Sequence, residues 1–234
     1  MDKRKELILN TIIREHIKTG VPVGSGVLVE KYKLNISPAT ARNEMAELEE
    51  DGFIVQPHTS AGRVPTEKAY NLYVENLSAR GGEKKIGEAE AKIFAKLLKE
   101  KNELNFKQAA KMMAKVSGEA VFWAFHKNNL YYTGISNLLA QPEFAQTGLI
   151  YDISVVIDKV DEIIDNIFSE TKMGTQIQIG SDNPFGNFCG TILTKYKYDG
   201  KTGLFGILGP MRMNYEKNMA LVNYISGLLG SKQV

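Results

Sequence analysis

Residues 37–52 constrain this chain more than any other stretch, because both ends of a helix are written into them. Ser37 offers a hydroxyl to the free amides of a first turn, and Pro38 stands at the first helical position, where its missing N–H costs nothing. Ala41, Met45 and Leu48 recur at i, i+4 and i+7, so one side of the helix must turn inward. The helix is expected to reach about Asp51 and to stop at Gly52. Upstream, Leu9, Ile12, Ile13, His16 and Ile17 share one face of a helix running from about Lys3 to Thr19, which Gly20 and Pro22 close. Ser25 is expected to cap a short second helix carrying Val27, Leu28 and Tyr32, and Leu34-Asn35-Ile36 makes a tight turn before Ser37. Three short helices with a tight turn between the second and third form the skeleton of a helix-turn-helix.

A small hairpin is expected directly afterwards. Phe53-Ile54-Val55 is β-like, Pro57 to Gly62 is turn-rich, and Arg63-Val64 returns as a second short strand, which is the position of a wing. Thr66 then caps a fourth helix with Tyr70, Tyr73, Val74 and Leu77 as its apolar stripe. Residues 79–87 are polar and glycine-rich, and read as a linker between a unit at 1–78 and a second at 88–234. In the second unit helices are expected near 88–101 and 105–117. Strands follow at Glu119–His126 and Leu130–Ser136, joined through Lys127-Asn128-Asn129. A helix fills the second half of 150–169, strands occupy Gln176–Gly180, Gly190–Tyr198 and Gly203–Leu208, and Tyr215–Leu229 is a closing helix. The class is α+β, with a mainly antiparallel sheet flanked by helices.

Composition narrows the functional classes. Hydrophobic content of 43% and charged content of 24% over 234 residues are ordinary for a soluble protein with a real core. No apolar run approaches the roughly 18 residues that span a bilayer, so no membrane partner is expected. Lys3, Arg4 and Lys5 precede an apolar stretch that Asn10, Thr11 and Arg14 interrupt, so the N-terminus reads as an amphipathic helix and not as a signal peptide. The single cysteine, Cys189, excludes an internal disulfide framework and fits a reducing cytoplasm. Net charge is only +2, and residues 1–80 hold eleven Lys and Arg against eleven Asp and Glu. A basic footprint is absent in bulk. Any nucleic-acid reading therefore rests on where the charges sit.

The third helix places Ser37, Thr40 and Asn43 opposite its apolar stripe, with Arg42 beside them. In a helix-turn-helix the N-terminal residues of this helix meet base edges, where Arg pairs with guanine, Asn with adenine, and Thr offers a hydroxyl or a methyl. Glu44, Glu47, Glu49, Glu50 and Asp51 lie mostly toward the far end, away from a docked duplex. The wing supplies His58, Thr59, Ser60 and Arg63, the last suited to a phosphate or minor-groove contact. Lys33, with Lys3, Arg4, Lys31 and Lys68, is a candidate for phosphate contacts. Pattern alone fits a solvated amphipathic helix equally well, and the wing taken by itself reads more readily as a surface turn carrying an arginine.

An enzyme is the least supported class. His16, His58 and His126 lie far apart and have no metal-ligand spacing with Cys189, which reads as a buried structural thiol. Gly203, Gly206 and Gly209 follow no dinucleotide or Walker pattern, and fit a strand with close backbone packing. No cofactor is expected. Phe122, Trp123, Tyr131 and Tyr132 read first as core, with the alternative that they line a small-molecule pocket. A scaffolding or RNA-binding role is the remaining rival.

The segments Thr19–Ser25 (TGVPVGS), Ser37–Gly52 (SPATARNEMAELEEDG) and Gln56–Thr66 (QPHTSAGRVPT), with Tyr70 and Tyr73, closely resemble the heat-inducible transcription repressor family HrcA. The likeness is dense over residues 4–77 and resumes at Gly134–Phe144, Ile179-Gly180 and Gly206–Tyr215. It implies a winged helix-turn-helix followed by a GAF-like α/β domain. It implies a homodimer that binds an inverted-repeat operator upstream of chaperone operons, with activity dependent on a GroEL-type chaperonin. Carried over by position, the recognition helix is Ser37–Glu50 and the wing is Gln56–Thr66. This chain departs from the family in length, lacking about a hundred residues of the C-terminal part where typical members carry a dimerising insertion.

Overall fold

The computed structural model describes residues 1–79, 85–126, 129–145, 155 and 158–230. The chain divides into two compact units, one of residues 1–81 with 212–214 and one of residues 82–211 with 215–234. No helix among the described residues is long and apolar enough to cross a membrane.

The first unit is a winged helix. Helix α1 (Lys3–Thr19) is capped at its start by the Asp2 side chain and ends at Gly20, with Ile8, Leu9, Ile12 and Ile13 buried. Helix α2 (Ser25–Glu30) is capped by Gly24, so Ser25 is its first residue and not its cap. Tyr32 falls in the turn after it, drawn out of helical register by a hydrogen bond from its hydroxyl to Glu15 at 2.6 Å. Helix α3 (Pro38–Glu50) buries Ala41, Met45 and Leu48, the stripe read from the sequence. Strands β1 (Ile54–Val55) and β2 (Val64–Pro65) pair antiparallel, and Val23 adds a third partner by bridging to Arg63. Helix α4 (Glu67–Ala79) turns Ala69, Tyr70, Tyr73 and Val74 inward. It includes Ala79, the first residue of the expected linker, and residues 80–84 lie outside the described residues.

The second unit is built on five antiparallel strands. Helices α5 (Glu88–Leu97) and α6 (Glu103–Ser117) precede β3 (Ala120–His126) and β4 (Asn129–Thr133). The expected second strand stops three residues early. Gly134 takes a left-handed conformation there and begins a short helix, α7 (Ile135–Leu139). Helix α8 (Val160–Glu170), strands β5 (Gly174–Ile179), β6 (Cys189–Tyr198) and β7 (Lys201–Pro210), and helix α9 (Tyr215–Leu228) complete it. The hinge of the β6–β7 hairpin is Asp199-Gly200, both at positive φ, as a tight two-residue turn requires. The sheet order is β4-β3-β7-β6-β5, which places the first and last long strands side by side at the centre. This is a GAF-like α/β arrangement with a mainly antiparallel sheet.

Helices cover both faces of this sheet, so β3 is buried along its length except at His126. On one face Phe122 packs with Leu138, Phe144, Ile164, Ile167, Phe185, Cys189 and Leu193. On the other Trp123 stacks between Phe106 of α6 and Phe205, at centroid distances of 5.2 and 4.6 Å, and its indole N–H donates to the Tyr196 hydroxyl at 2.8 Å. Phe122 and Trp123 therefore face opposite ways and fill two cores, so they cannot line one pocket together. Tyr132, paired across from Phe122, is exposed. The glycines of β7 have the close-packing role expected of them: a Cβ at Gly206 would lie 2.5 Å from the Phe122 ring.

Cys189 is 1% exposed, and burial pushes its thiol up to about 12. The folded chain should resist a thiol reagent at mildly alkaline pH, whereas the denatured chain should react to one equivalent. Rapid labelling of the native protein would show that this face of the sheet is open.

Candidate nucleic-acid interface

The site is built on α3, and its geometry follows from which side of that helix is buried. With Ala41, Met45 and Leu48 inside, the residues left in solvent are Ser37, Pro38, Ala39, Arg42, Asn43 and Ala46, followed toward the far end by Glu47 and Glu50. Arg42 and Asn43 stand exposed side by side, and Arg42 has no ion-pair partner among the described residues. Ala39 and Ala46 were not among the expected site residues. Their signal is their spacing: they lie one turn before and one turn after Arg42–Asn43, opposite the apolar stripe. Two small side chains there let the backbone of the helix approach a groove closely, and a methyl suits a thymine methyl.

Ser37 and Thr40 have a different role from Arg42 and Asn43. The Ser37 hydroxyl accepts from the Thr40 amide at 3.0 Å and shares a 2.9 Å hydrogen bond with the Thr40 hydroxyl. Both are therefore used in building the start of the helix; Pro38 has no N–H and the Ala41 amide bonds the Ser37 carbonyl at 2.9 Å, so Ala39 carries the first-turn amide open to another acceptor. Lys33 sits in the turn ahead of α3 with φ of 51°, a conformation unusual for a side-chain-bearing residue, and is exposed. That turn is secured from behind by Glu15, a buried carboxylate on α1 that pairs with Lys31 and accepts from Tyr32. Those two hydrogen bonds, Lys31 first, hold the Glu15 carboxyl below the usual glutamate range.

The neutral charge balance resolves into ion pairs. Arg4 meets Glu44 at 3.2 Å, Lys5 meets Glu47, and Arg63 meets Glu49 at 2.8 Å. Lys68 caps the end of α3 at the Asp51 carbonyl, 2.8 Å away, and lies over the Phe53 ring. Thus Arg4, Lys31 and Lys68, expected as phosphate contacts, are engaged within the fold. Lys3 and Lys33 have no ion-pair partner among the described residues. Glu44, Glu47 and Glu49 are thus met by cations while Glu50 stays exposed, so Arg42 leads the N-terminal part of the exposed edge and acidic residues its far end.

In the wing, His58, Thr59 and Ser60 are exposed at the tip. Arg63 is at the base of the hairpin and half-buried against Glu49, and is not the exposed cation that a phosphate or minor-groove contact called for. Gly62 lies where the chain passes the Val23 backbone: a Cβ there would stand 2.4 Å from the Val23 carbonyl carbon. No larger residue fits without breaking the bridge that ties Arg63 to Val23.

Fold and site together define a winged-helix protein with a GAF-like second unit. The family described as HrcA protein C terminal domain matches residues 57–219. A heat-inducible transcription repressor HrcA from Carboxydothermus hydrogenoformans is 28% identical over 339 aligned positions, covering 99% of this chain and 99% of that protein. Another, from Acidothermus cellulolyticus, is 56% identical over 78 residues, 33% of this chain and 23% of that protein. A crystal structure described as that of a hypothetical protein has the same fold, with a TM-score of 0.82 at 18% identity, over 98% of this chain and 97% of that one. This chain belongs to the HrcA family. The 339 aligned positions against 234 residues here mean that the Carboxydothermus relative carries more than a hundred residues without a counterpart in this chain.

Two outcomes test this local architecture. Gly62→Ala should lower the melting stability by about 1–3 kcal/mol, the range for overpacking a tight site, whereas Ala61→Gly should cost less; an unchanged Gly62→Ala melt would refute the close approach to Val23. Glu15 lowers its carboxyl pKa on folding, so its contribution is fully present above 4.5 and is lost as pH falls through the lower folded value. Glu15→Gln should accordingly flatten the acid-side decline of the melting temperature, and parallel pH curves for the two proteins would contradict the pairing.

Proposed function

We propose that this protein is a sequence-specific, double-stranded-DNA-binding transcriptional repressor of heat-shock chaperone operons, acting as a homodimer on an inverted-repeat operator. The observation that carries this reading is the solvent-exposed edge of α3, where Arg42 and Asn43 stand between Ala39 and Ala46 at the open start of a helix whose other side is fully buried. An arginine and an asparagine are the side chains that read guanine and adenine bidentately in the major groove. The fold supplies the helix-turn-helix that delivers them, and membership of the HrcA family supplies the repressor context.

In this mechanism two protomers related by a two-fold axis set their α3 helices into successive major grooves, with half-sites one or more helical turns apart. Lys33 and Lys3 contact phosphates, and His58, Thr59 and Ser60 at the wing tip approach the adjacent groove. The second unit fixes the spacing between the two heads, so the dimer contacts lie within a chain shorter than its relatives. Heat loosens that unit, the heads lose their register, and the operator is released. No change in α3 itself is needed.

Arg42→Ala and Asn43→Ala should each cost about 1–3 kcal/mol on the cognate duplex and relax specificity at one position. Lys33→Ala should weaken all duplexes alike and reduce the salt slope by about one. An Arg42→Ala protein that titrated the operator like wild type in a gel-shift assay would remove α3 as the reading helix.

A further inference from the structure

We propose that Glu49 is a positioning residue that sets where the wing stands against α3 and thereby controls discrimination between duplex sequences; the inference rests on the DNA-binding reading above. Glu49 lies in the last turn of α3, beyond the exposed Arg42–Asn43 edge. Its two carboxylate oxygens go to the two limbs of the hairpin. Oε1 accepts the backbone amide of Gln56, directly after β1, at 2.9 Å. Oε2 accepts Nε–H of Arg63, directly before β2, at 2.8 Å. One side chain therefore ties both the outgoing and the returning strand of the wing to the helix that reads the groove.

The rest of the wing makes this tether decisive. Its two strands are two residues each, and so short a ladder holds little by itself; the returning limb is also held by the Val23–Arg63 backbone bridge, whereas Glu49 is the α3 side chain that reaches the outgoing limb as well. Gln56 closes the loop from within, its side-chain amide donating to the Thr59 carbonyl at 3.0 Å and to the Ala61 carbonyl at 2.9 Å. Gln56 thus shapes the loop that presents His58, Thr59 and Ser60, while Glu49 fixes where that loop is carried. The same contact has a second effect. Arg63 is a cation next to the wing, yet Glu49 holds it at 19% side-chain exposure and balances its charge. It is withheld from general phosphate binding.

Glu49→Gln preserves length and removes the charge. Its single carbonyl oxygen cannot serve both limbs as the carboxylate does, and Arg63 loses its counter-charge. Discrimination and non-specific binding should then move in opposite directions, which a simple loss of folding cannot produce. The test uses the full-length chain, a duplex selected by wild type from a random pool, and a scrambled duplex of equal length, in a salt series read by fluorescence anisotropy. The selected-to-scrambled affinity ratio should fall roughly tenfold in Glu49→Gln, the size of one lost base-pair preference. Scrambled-duplex affinity should hold or rise, and the salt slope should steepen by about one per released arginine. The steepening should vanish in the double variant Glu49→Gln, Arg63→Ala.

A wild-type ratio with an unaltered slope in Glu49→Gln would overturn the positioning role and leave the DNA-binding reading standing. Parallel loss on both duplexes, accompanied by a lowered melting temperature, would make Glu49 only a structural residue. A wild-type protein that enriched no duplex from the pool would instead bring down the DNA-binding reading itself.

Discussion

The arrangement of the first unit depends on one packing constraint, the burial of Ala41, Met45 and Leu48 along α3. A helix of 3.6 residues per turn that commits these three positions inward has no freedom left in its rotation. Arg42, Asn43, Ala39 and Ala46 are outward as a geometric consequence. The Ser37 cap and Pro38 decide where the helix begins, and so how far along it Arg42 and Asn43 stand. Removing a buried side chain from this stripe would therefore disturb the exposed edge as well as stability, since both depend on the same rotation.

Charge is handled by pairing and not by excess. Arg4, Lys5 and Arg63 each meet a glutamate of α3, and Lys31 meets Glu15 on α1. The more exposed of these, such as Arg4–Glu44, add little to stability, whereas the buried Glu15 does contribute through its pairing. Their effect here is on the field: Glu44, Glu47 and Glu49 are each met by a cation, whereas Glu50 stays exposed at the far end of α3, so the start of the helix, with Arg42, is its least acidic part. A unit with equal numbers of acidic and basic residues can in this way keep a cation at the start of its exposed edge.

The second unit follows a different logic, because its sheet is covered on both faces. Strands β3 and β7 carry almost continuous apolar runs, β6 is buried over most of its length although Thr191 and Thr194 interrupt its apolar residues, and the two faces of the sheet form separate cores around Phe122 and Trp123. Gly206 allows the Phe122 ring to sit against β7.

Local chemistry wrote much of this into the sequence: the caps and periods of α1, α3 and α4, the wing's existence, and the apolar runs of β3 and β7 all depend on neighbours within a few residues. The Asp199-Gly200 turn was missed although Asp-Gly between two strands is a two-residue hairpin signal, and so was the outward pair Ala39 and Ala46, whose spacing is equally local. Tertiary contacts decided the rest. Gly134 ends β4 early because its backbone adopts a positive φ, and Tyr32 leaves α2 for a carboxylate seventeen residues away. Arg63 reads as a free cation on a turn until Glu49, fourteen residues upstream, closes on it. Periodicity and capping are properties of a segment, whereas which cation is matched and which stays open depends on partners that only folding brings within 3 Å.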